Sequence, residues 1–290
     1  AGQCGDTGLL SAPAGSAKVL DTLKPSADLT VHHIEVDGGT LLPDQEVVLT
    51  GIHLSSYGID IEDDLLHLIE QVHEIEGIQR IRLGSLEPKI VTEEFAKRLS
   101  ELEKICPHFH LSLQSGCDAT LERMNRKYTT EEYAKSCGYL RKYFRQPAIT
   151  TDVIVGFPGE TEEEFAVTKQ YLEKIHFYEM HIFKYSKRQG TKAAKMSDQI
   201  DEQIKTKRSN ELLALEKKMS KEFRDAHIGK EDEALLEEPV QIDGVDYYVG
   251  FTKEYVKVAV RSEKDLSNCM VRGRIEGALN ENVYLMTAYS

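Results

Sequence analysis

The stretch 151-TTDVIVGFPGETEEEF-166 joins an apolar run to an acidic helix start through a turn with two glycines and a proline. AITTDVIVG (148–156) is rich in β-branched residues and reads as a strand. Thr161 followed by Glu164 is a capping-box pattern, and Phe165, Thr168, Leu172 and Ile175 then recur at helical spacing. A strand apolar on both faces that runs directly into a helix is the building unit of a parallel α/β sheet. The turn 156-GFPGE-160 admits two readings. Glycine lets a flat ligand approach bare backbone, or the glycines and proline only set the dihedrals of a tight strand–helix turn. Asp152 alternates with Ile154, so both face the same side, and an inward carboxylate is costly unless paired or used.

The alternation extends outward from this stretch. EVVLTG (46–51), IQRIRLGS (78–85), FHLSLQSG (109–116) and YEMHIFKYS (178–186) read as further strands. Between them lie helical patterns carrying Leu65, Leu66, Ile69 and Val72, then Phe95, Leu99 and Leu102 behind an N-cap at Thr92, then two helices near 118–126 and 130–144. Strand–helix alternation implies parallel strands with crossover helices, and a full or partial barrel is their natural closure. A long polar helix over 198–227 ends at Gly229. EALLEEPVQI, DYYVGFTKEYVKVAVRS, NCMVRGRIEG and NVYLMTAYS then read as short strands of a small all-β, OB-like barrel. Residues 1–45 have no clear period, although VHHIEVDGG (31–39) fits a short strand and turn.

The formal net charge of −13 argues against a broad, nonspecific nucleic-acid binder. No apolar run reaches the roughly 20 residues of a membrane helix, and the start lacks the pattern of a signal peptide, so a cytoplasmic protein is expected. The five cysteines, Cys4, Cys106, Cys117, Cys137 and Cys269, are widely spaced, so neither a disulfide framework nor a local metal site is expected.

In parallel α/β folds the chemistry collects at the carboxyl ends of the strands. Those ends present Gly51, Ile52 and His53; Gly84, Ser85, Leu86 and Glu87; Gln114, Ser115 and Gly116; Gly156 to Glu160; and Lys184, Tyr185 and Ser186. The run 184-KYSKRQGTKAAK-195 holds Lys184, Lys187, Arg188, Lys192 and Lys195 with no acidic residue among them. It reads as a phosphate contact or as a solvated loop. Arg123, Arg126 and Lys127 could extend the patch. Residues 229–290 hold 7 Lys/Arg against 12 Asp/Glu, so RNA contact there would be local, through Lys253, Tyr255, Lys257 and Arg261. Strand alternation would place Tyr255 and Lys257 on one face; an exposed strand face with no ligand is the alternative.

Taken in order, EVVLTGIHLSSYG, RIRLGSLEP, HLSLQSGCDATLERMNRKYT, TTDVIVGFPGETEEEF and FKYSKRQGTKAA resemble the radical S-adenosylmethionine (SAM) methylthiotransferases, most of all the branch acting on threonylcarbamoyladenosine in tRNA. The resemblance implies a partial (β/α) barrel over 46–228 with a C-terminal helix, a TRAM-like RNA-binding β domain over 229–290, and an unassigned segment over 1–45. SAM would lie across the strand ends. Ser85, Glu87, Gln114 and Ser115 would approach its methionine and ribose parts. Asp152, Ile154 and Gly156 would frame the adenine, with Phe183 and Lys184 on its other side. The turn at 156–160 would be bare because a cofactor ring packs beside it. The tRNA anticodon arm would meet Arg123, Arg126, Lys187, Arg188, Lys192, Lys253, Tyr255 and Lys257. The implied reaction is 2-methylthiolation of N6-threonylcarbamoyladenosine at tRNA position 37. In it a deoxyadenosyl radical made from SAM at a [4Fe–4S] cluster abstracts hydrogen, and a second cluster supplies sulfur.

The family's cluster-binding cysteines have no counterpart here, nor does the first barrel strand. One thiol, Cys4, precedes Glu46, and one thiol does not hold a four-iron cluster. The change of texture at LPDQ|EVVL suggests that residues 1–45 come from a frameshift, a misassembled gene or a truncation. A chain without cluster turnover is expected, monomeric, with no DNA or membrane partner. The alternatives are a tRNA-binding remnant without catalysis, or a barrel enzyme acting on a phosphorylated metabolite.

Overall fold

The computed structural model describes residues 8–12, 15–26, 29–39, 46–51, 54–58 and 63–289, with side chains from residue 46 onward. His53 of the expected rim, and Cys4, lie outside the described residues. The chain divides into two compact units, residues 1–85 and 86–290.

In the first unit, β1 (Gly8–Ala12), β2 (Gly15–Ser26) and β3 (Leu29–Gly39) form an antiparallel sheet in that order. The strand expected within 31–39 is part of β3. β4 (Glu46–Leu49) and β5 (Arg80–Leu83) pair in parallel. Between them runs α1 (Leu65–His73), capped by Asp64 and burying Leu65 and Ile69. Arg82 grips Glu46 with two hydrogen bonds, Nε to Oε1 at 2.8 Å and a terminal nitrogen to Oε2 at 3.1 Å.

In the second unit, α2 (Glu93–Ser100), β6 (His108–His110), α3 (Asp118–Arg123), α4 (Thr130–Tyr143), β7 (Ala148–Val155), α5 (Glu162–Ile175) and β8 (Glu179–Lys184) follow in alternation. Every pairing among β6, β7 and β8 is parallel, with β7 central. The Thr92 cap on α2 and the Thr161–Glu164 capping box on α5 form as expected. The third strand is shorter than expected. After the pair His110↔Thr150 the next bridge is Gln114↔Val153, four residues on one side against three on the other. That mismatch is a one-residue bulge, and Gln114 absorbs it at φ +75°.

α6 (Glu202–Asp225) leads to a closed barrel of β9 (Glu231–Ile242), β10 (Val245–Thr252), β11 (Lys257–Val260), β12 (Cys269–Ala278) and β13 (Tyr284–Ala288). Around the barrel the order is β9-β10-β11-β13-β12 with β11 and β13 parallel, an OB-like arrangement. Its core is Ala234, Leu236, Val256, Val258, Val260, Ile275, Tyr284 and Met286. The stretch read as one strand, DYYVGFTKEYVKVAVRS, is two. Tyr255 stands at φ +67° in the turn between them, so alternation does not carry through it to Lys257.

One buried ion pair holds the β7–α5 turn against α6. Glu160 Oε1 accepts from Arg208 at 2.7 Å and from the Gly156 N–H at 2.9 Å, with the two side chains 2% and 4% exposed. Arg208 also donates to the Glu160 carbonyl and lies over the Phe165 ring. Burial raises the Glu160 carboxyl above its ordinary value, against the Gly156 bond and the Arg208 charge. Removing one member of such a pair strands a buried charge. Arg208→Ala is therefore expected to cost about 3–5 kcal/mol in urea unfolding; a loss below about 1 kcal/mol would show that the pair is not needed.

Candidate cofactor and nucleic-acid site

The pleat of β7 sorts its side chains. Ile149, Thr151, Val153 and Val155 face the helices and are buried. There the buried Tyr133 of α4 donates its hydroxyl to the Leu111 carbonyl and to Thr151. Asp152 and Ile154 face the other way and are half-buried. Register puts His181 beside Asp152 and Phe183 beside Ile154. Phe183 is 53% exposed, a large apolar surface on this face. His110 joins them from β6. Its Nδ1 is 3.0 Å from the Thr150 hydroxyl, its Nε2 is 3.4 Å from Asp152 Oδ2, and its ring lies 5.8 Å from that of His181.

The inward carboxylate is thus paired. Burial works to raise the Asp152 carboxyl, but the His110 hydrogen bond and charge, with His181 and Arg126 beyond, hold it below the ordinary range. One ligand atom each from His110, Asp152 and His181 lie within 4.8 Å of one another, so these three could also hold a metal ion. The two histidines were not singled out from sequence. In EMHIF register sets His181 opposite Asp152, and in PHFHL it sets His110 opposite Thr150, two residues earlier on the same face; that register was the usable signal.

The expected cofactor residues separate. Asp152, Ile154 and Phe183 share the open face, and the Gln114 backbone bonds on both sides of Val153, to the Asp152 carbonyl and the Ile154 N–H. Ser115 does not reach the face. It is fully buried, its hydroxyl 3.2 Å from that of Thr168 and accepting from the Cys117 N–H, so it docks α3 and α5 instead. Glu87 is exposed in the second unit, and Ser85 is exposed in the first.

The bare turn is also explained differently from the expectation. Gly156 and Gly159 adopt φ +71° and +79°. A Cβ on Gly156 would stand 2.3 Å from Cγ of Lys205, whose stem from α6 fills the space assigned to a cofactor ring. Lys205 is held there by its ammonium, which donates to the Tyr185 carbonyl at 3.1 Å.

The basic residues divide as well. Arg123 is engaged by both carboxylate oxygens of Glu164, so it clamps α3 to α5 and is not a free phosphate contact. Arg126 is exposed and lines a hollow of about 300 Å³ together with Asp118, Glu122, Lys127, Tyr128, Thr129 and Glu132. Lys187, Arg188 and Lys192 are exposed, with no ion pair among the described residues. Lys184 is paired with Glu202. On the barrel, Lys253 donates to the Glu103 carbonyl at 2.8 Å, and Lys257 lies over the Phe251 ring. Tyr255 is sandwiched between His108 at 4.7 Å and Phe251 at 4.3 Å, so neither ring face is open to a base. Lys253 and Tyr255 fasten the barrel to the α/β layer.

Among the described residues the thiols do not fit an iron–sulfur cluster. Cys106, Cys117 and Cys137 are buried, and among the described residues no cysteine belongs to a group of three converging ligands. Burial pushes the Cys137 thiol up to about 12, away from the thiolate a cluster needs.

A family model described as the radical SAM superfamily matches residues 38–172. The threonylcarbamoyladenosine tRNA methylthiotransferase MtaB of Bacillus subtilis (strain 168) is 40% identical over 234 residues, covering 80% of this chain and 52% of that protein. A tRNA-2-methylthio-N(6)-dimethylallyladenosine synthase of Acetivibrio thermocellus is 43% identical over 195 residues, covering 67% of this chain and 41% of that one. Coproporphyrinogen III oxidase (HemN) of Escherichia coli, a radical SAM enzyme of known structure, superposes with a TM-score of 0.44 at 17% identity over 53% of this chain and 37% of that one. By sequence the chain belongs to the radical SAM methylthiotransferases. It spans about half the length of the curated relatives it matches.

Gly156→Ala is expected to destabilise through both the left-handed φ and the Lys205 clash. Adding Lys205→Ala should recover the steric part and leave about 1–2 kcal/mol of backbone cost; full recovery in urea unfolding would refute the φ argument. Asp152 supplies a pH signature. Its folded pKa is lowered, so its stabilisation is present above the ordinary carboxylate value of about 3.9 and is lost as pH falls through the folded value. Asp152→Asn should flatten that part of the acid limb in unfolding midpoints measured from pH 6 to pH 2.

Proposed function

We propose that this chain serves tRNA 2-methylthiolation, binding SAM on the open face of β6–β8 and the tRNA anticodon arm at the basic loop. On this reading residues 46–228 are a partial barrel of the radical SAM type lacking its first strand. Residues 229–290 are a TRAM-like domain, residues 1–45 lie outside both, and the protein works as a cytoplasmic monomer. The carrying observation is the 40% identity over 80% of the chain to a relative named as a threonylcarbamoyladenosine tRNA methylthiotransferase. That name points to threonylcarbamoyladenosine in tRNA as the substrate nucleoside, which on this reading is the N6-modified adenosine at position 37.

Asp152, Ile154 and Phe183 would hold the adenosine end of SAM, with Glu87 and Gln114 toward its methionine end. The backbone around Ser115 and Gly156 would shape the pocket without their side-chain positions touching the ligand. Bound SAM would supply a sulfonium. On this reading the polypeptide alone would not turn over; the described thiols, which do not gather around a four-iron cluster, support it. Among the described residues no helix is long and apolar enough to cross a membrane.

A second reading is a tRNA-binding protein without catalysis, favoured by the unpaired cations at Lys187, Arg188 and Lys192. Anaerobic reconstitution with iron and sulfide is expected to leave no stable four-iron absorbance; its appearance would refute the inactivity. Calorimetry should show SAM binding that Asp152→Asn weakens, and SAM binding to neither form would leave the second reading. Converting Lys187, Arg188 and Lys192 to alanine should weaken tRNA binding and lower the slope of log K against log salt by about 2–3. An unchanged slope would remove the loop from the interface.

A further inference from the structure

A second convergence of ligand atoms lies away from the open sheet face, where the end of α6, the start of β9 and the β10–β11 turn meet. His227, Asp232 and Glu254 each offer one ligand atom there, and these atoms lie within 4.8 Å of one another. His227 is 5% exposed. Its Nδ1 lies 2.9 Å from the Phe223 carbonyl, which can only accept, so the proton sits on Nδ1 and Nε2 presents its lone pair in the neutral ring. Burial lowers the His227 pKa, and the Lys230 charge acts the same way, against the Phe223 bond and the Glu254 charge. A ring whose outer N–H is anchored on a backbone carbonyl is the usual arrangement of a metal-bound histidine.

The carboxylates supply the independent observation. Glu254 Oε2 is buried with no hydrogen-bond partner. An orphaned buried carboxylate oxygen is costly and calls for a bound partner. Asp232 Oδ1 accepts the Glu233 N–H at 2.7 Å, which sets the orientation of that carboxyl group. A cation placed between carboxylate oxygens this close would be attracted to both.

We propose that His227, Asp232 and Glu254 bind a divalent cation of the zinc type. Imidazole nitrogen and carboxylate oxygen are both zinc ligands, and donors about 2.1 Å from a shared tetrahedral ion stand about 3.4 Å apart. Side chains already within 4.8 Å reach that geometry by small rotations, with one position left for water. The ion joins three elements distant in sequence. Glu254 immediately precedes Tyr255, whose ring is stacked on His108 of β6, so the cation clamps the barrel where it docks on the α/β layer. The other metal-capable trio, His110, Asp152 and His181, differs in that His110 and Asp152 satisfy each other and His181 is exposed.

The test is calorimetric titration of the EDTA-dialysed full chain with Zn²⁺, with thermal melts before and after. Zn²⁺ should bind and raise Tm by several degrees. Glu254→Gln, which keeps the shape, should weaken that binding at least tenfold and abolish the rise, while His110→Gln should leave the rise in place. No Zn²⁺ uptake by the wild-type chain, wild-type affinity in Glu254→Gln, or loss of the rise in His110→Gln would each overturn the proposal. Should Glu254→Gln not fold, Mn²⁺ broadening of the His227 ring resonances in the wild-type chain reads the same site, and unbroadened resonances overturn it. None of these outcomes depends on SAM or tRNA binding.

Discussion

The buried pair of Glu160 and Arg208 is the constraint on which the second unit depends. Glu160 turns back to take the Gly156 N–H, which closes the tight turn after β7, and its remaining charge is met by Arg208 of α6. The same turn starts α5, whose capping box follows at Thr161. Burying two charges costs several kcal/mol each, repaid only by close geometry and full hydrogen bonding. The pair therefore acts less as a source of stability than as a selector: α6 fits in one place, with Lys205 under Gly156 and Arg208 under Glu160.

That placement leaves the open face of β6–β8 uncovered by the helices of its own layer. The face combines an ion-paired carboxylate, two imidazoles and an exposed phenyl ring, a composition suited to holding a polar, partly aromatic small molecule. Beside it, exposed lysines and an arginine carry positive charge in a chain of net −13. Local charge of this kind is visible to a phosphate at contact range even when the total is negative, because screening cuts off distant charges within roughly 10 Å. The barrel takes a different part. Its Lys253 and its turn tyrosine are used in docking, through the Glu103 carbonyl and the His108–Tyr255–Phe251 stack.

Much of the layout was legible in the amino-acid order because it depends on short-range rules. Period-2 and helical spacing located β7, β8, α5 and α6. Thr92, Thr161 and Glu164 marked helix starts through hydrogen bonds that span three residues, and the shared parity of Asp152 and Ile154 followed from the pleat alone. The basic stretch 184–195 was readable because a run of like charges with no acidic residue among them has nowhere within the run to pair.

What tertiary structure alone decided is which distant group occupies each space. Ser115 turned inward because Thr168, 53 residues away, met its hydroxyl. Arg123 was taken by Glu164, and the hollow at Gly156 was filled by Lys205. Tyr255 left its strand because a turn at φ +67° intervened. Sequence spacing sets the direction of a side chain along its own element, but the partner it finds is set by packing between elements far apart in the chain, and local periodicity carries no record of that.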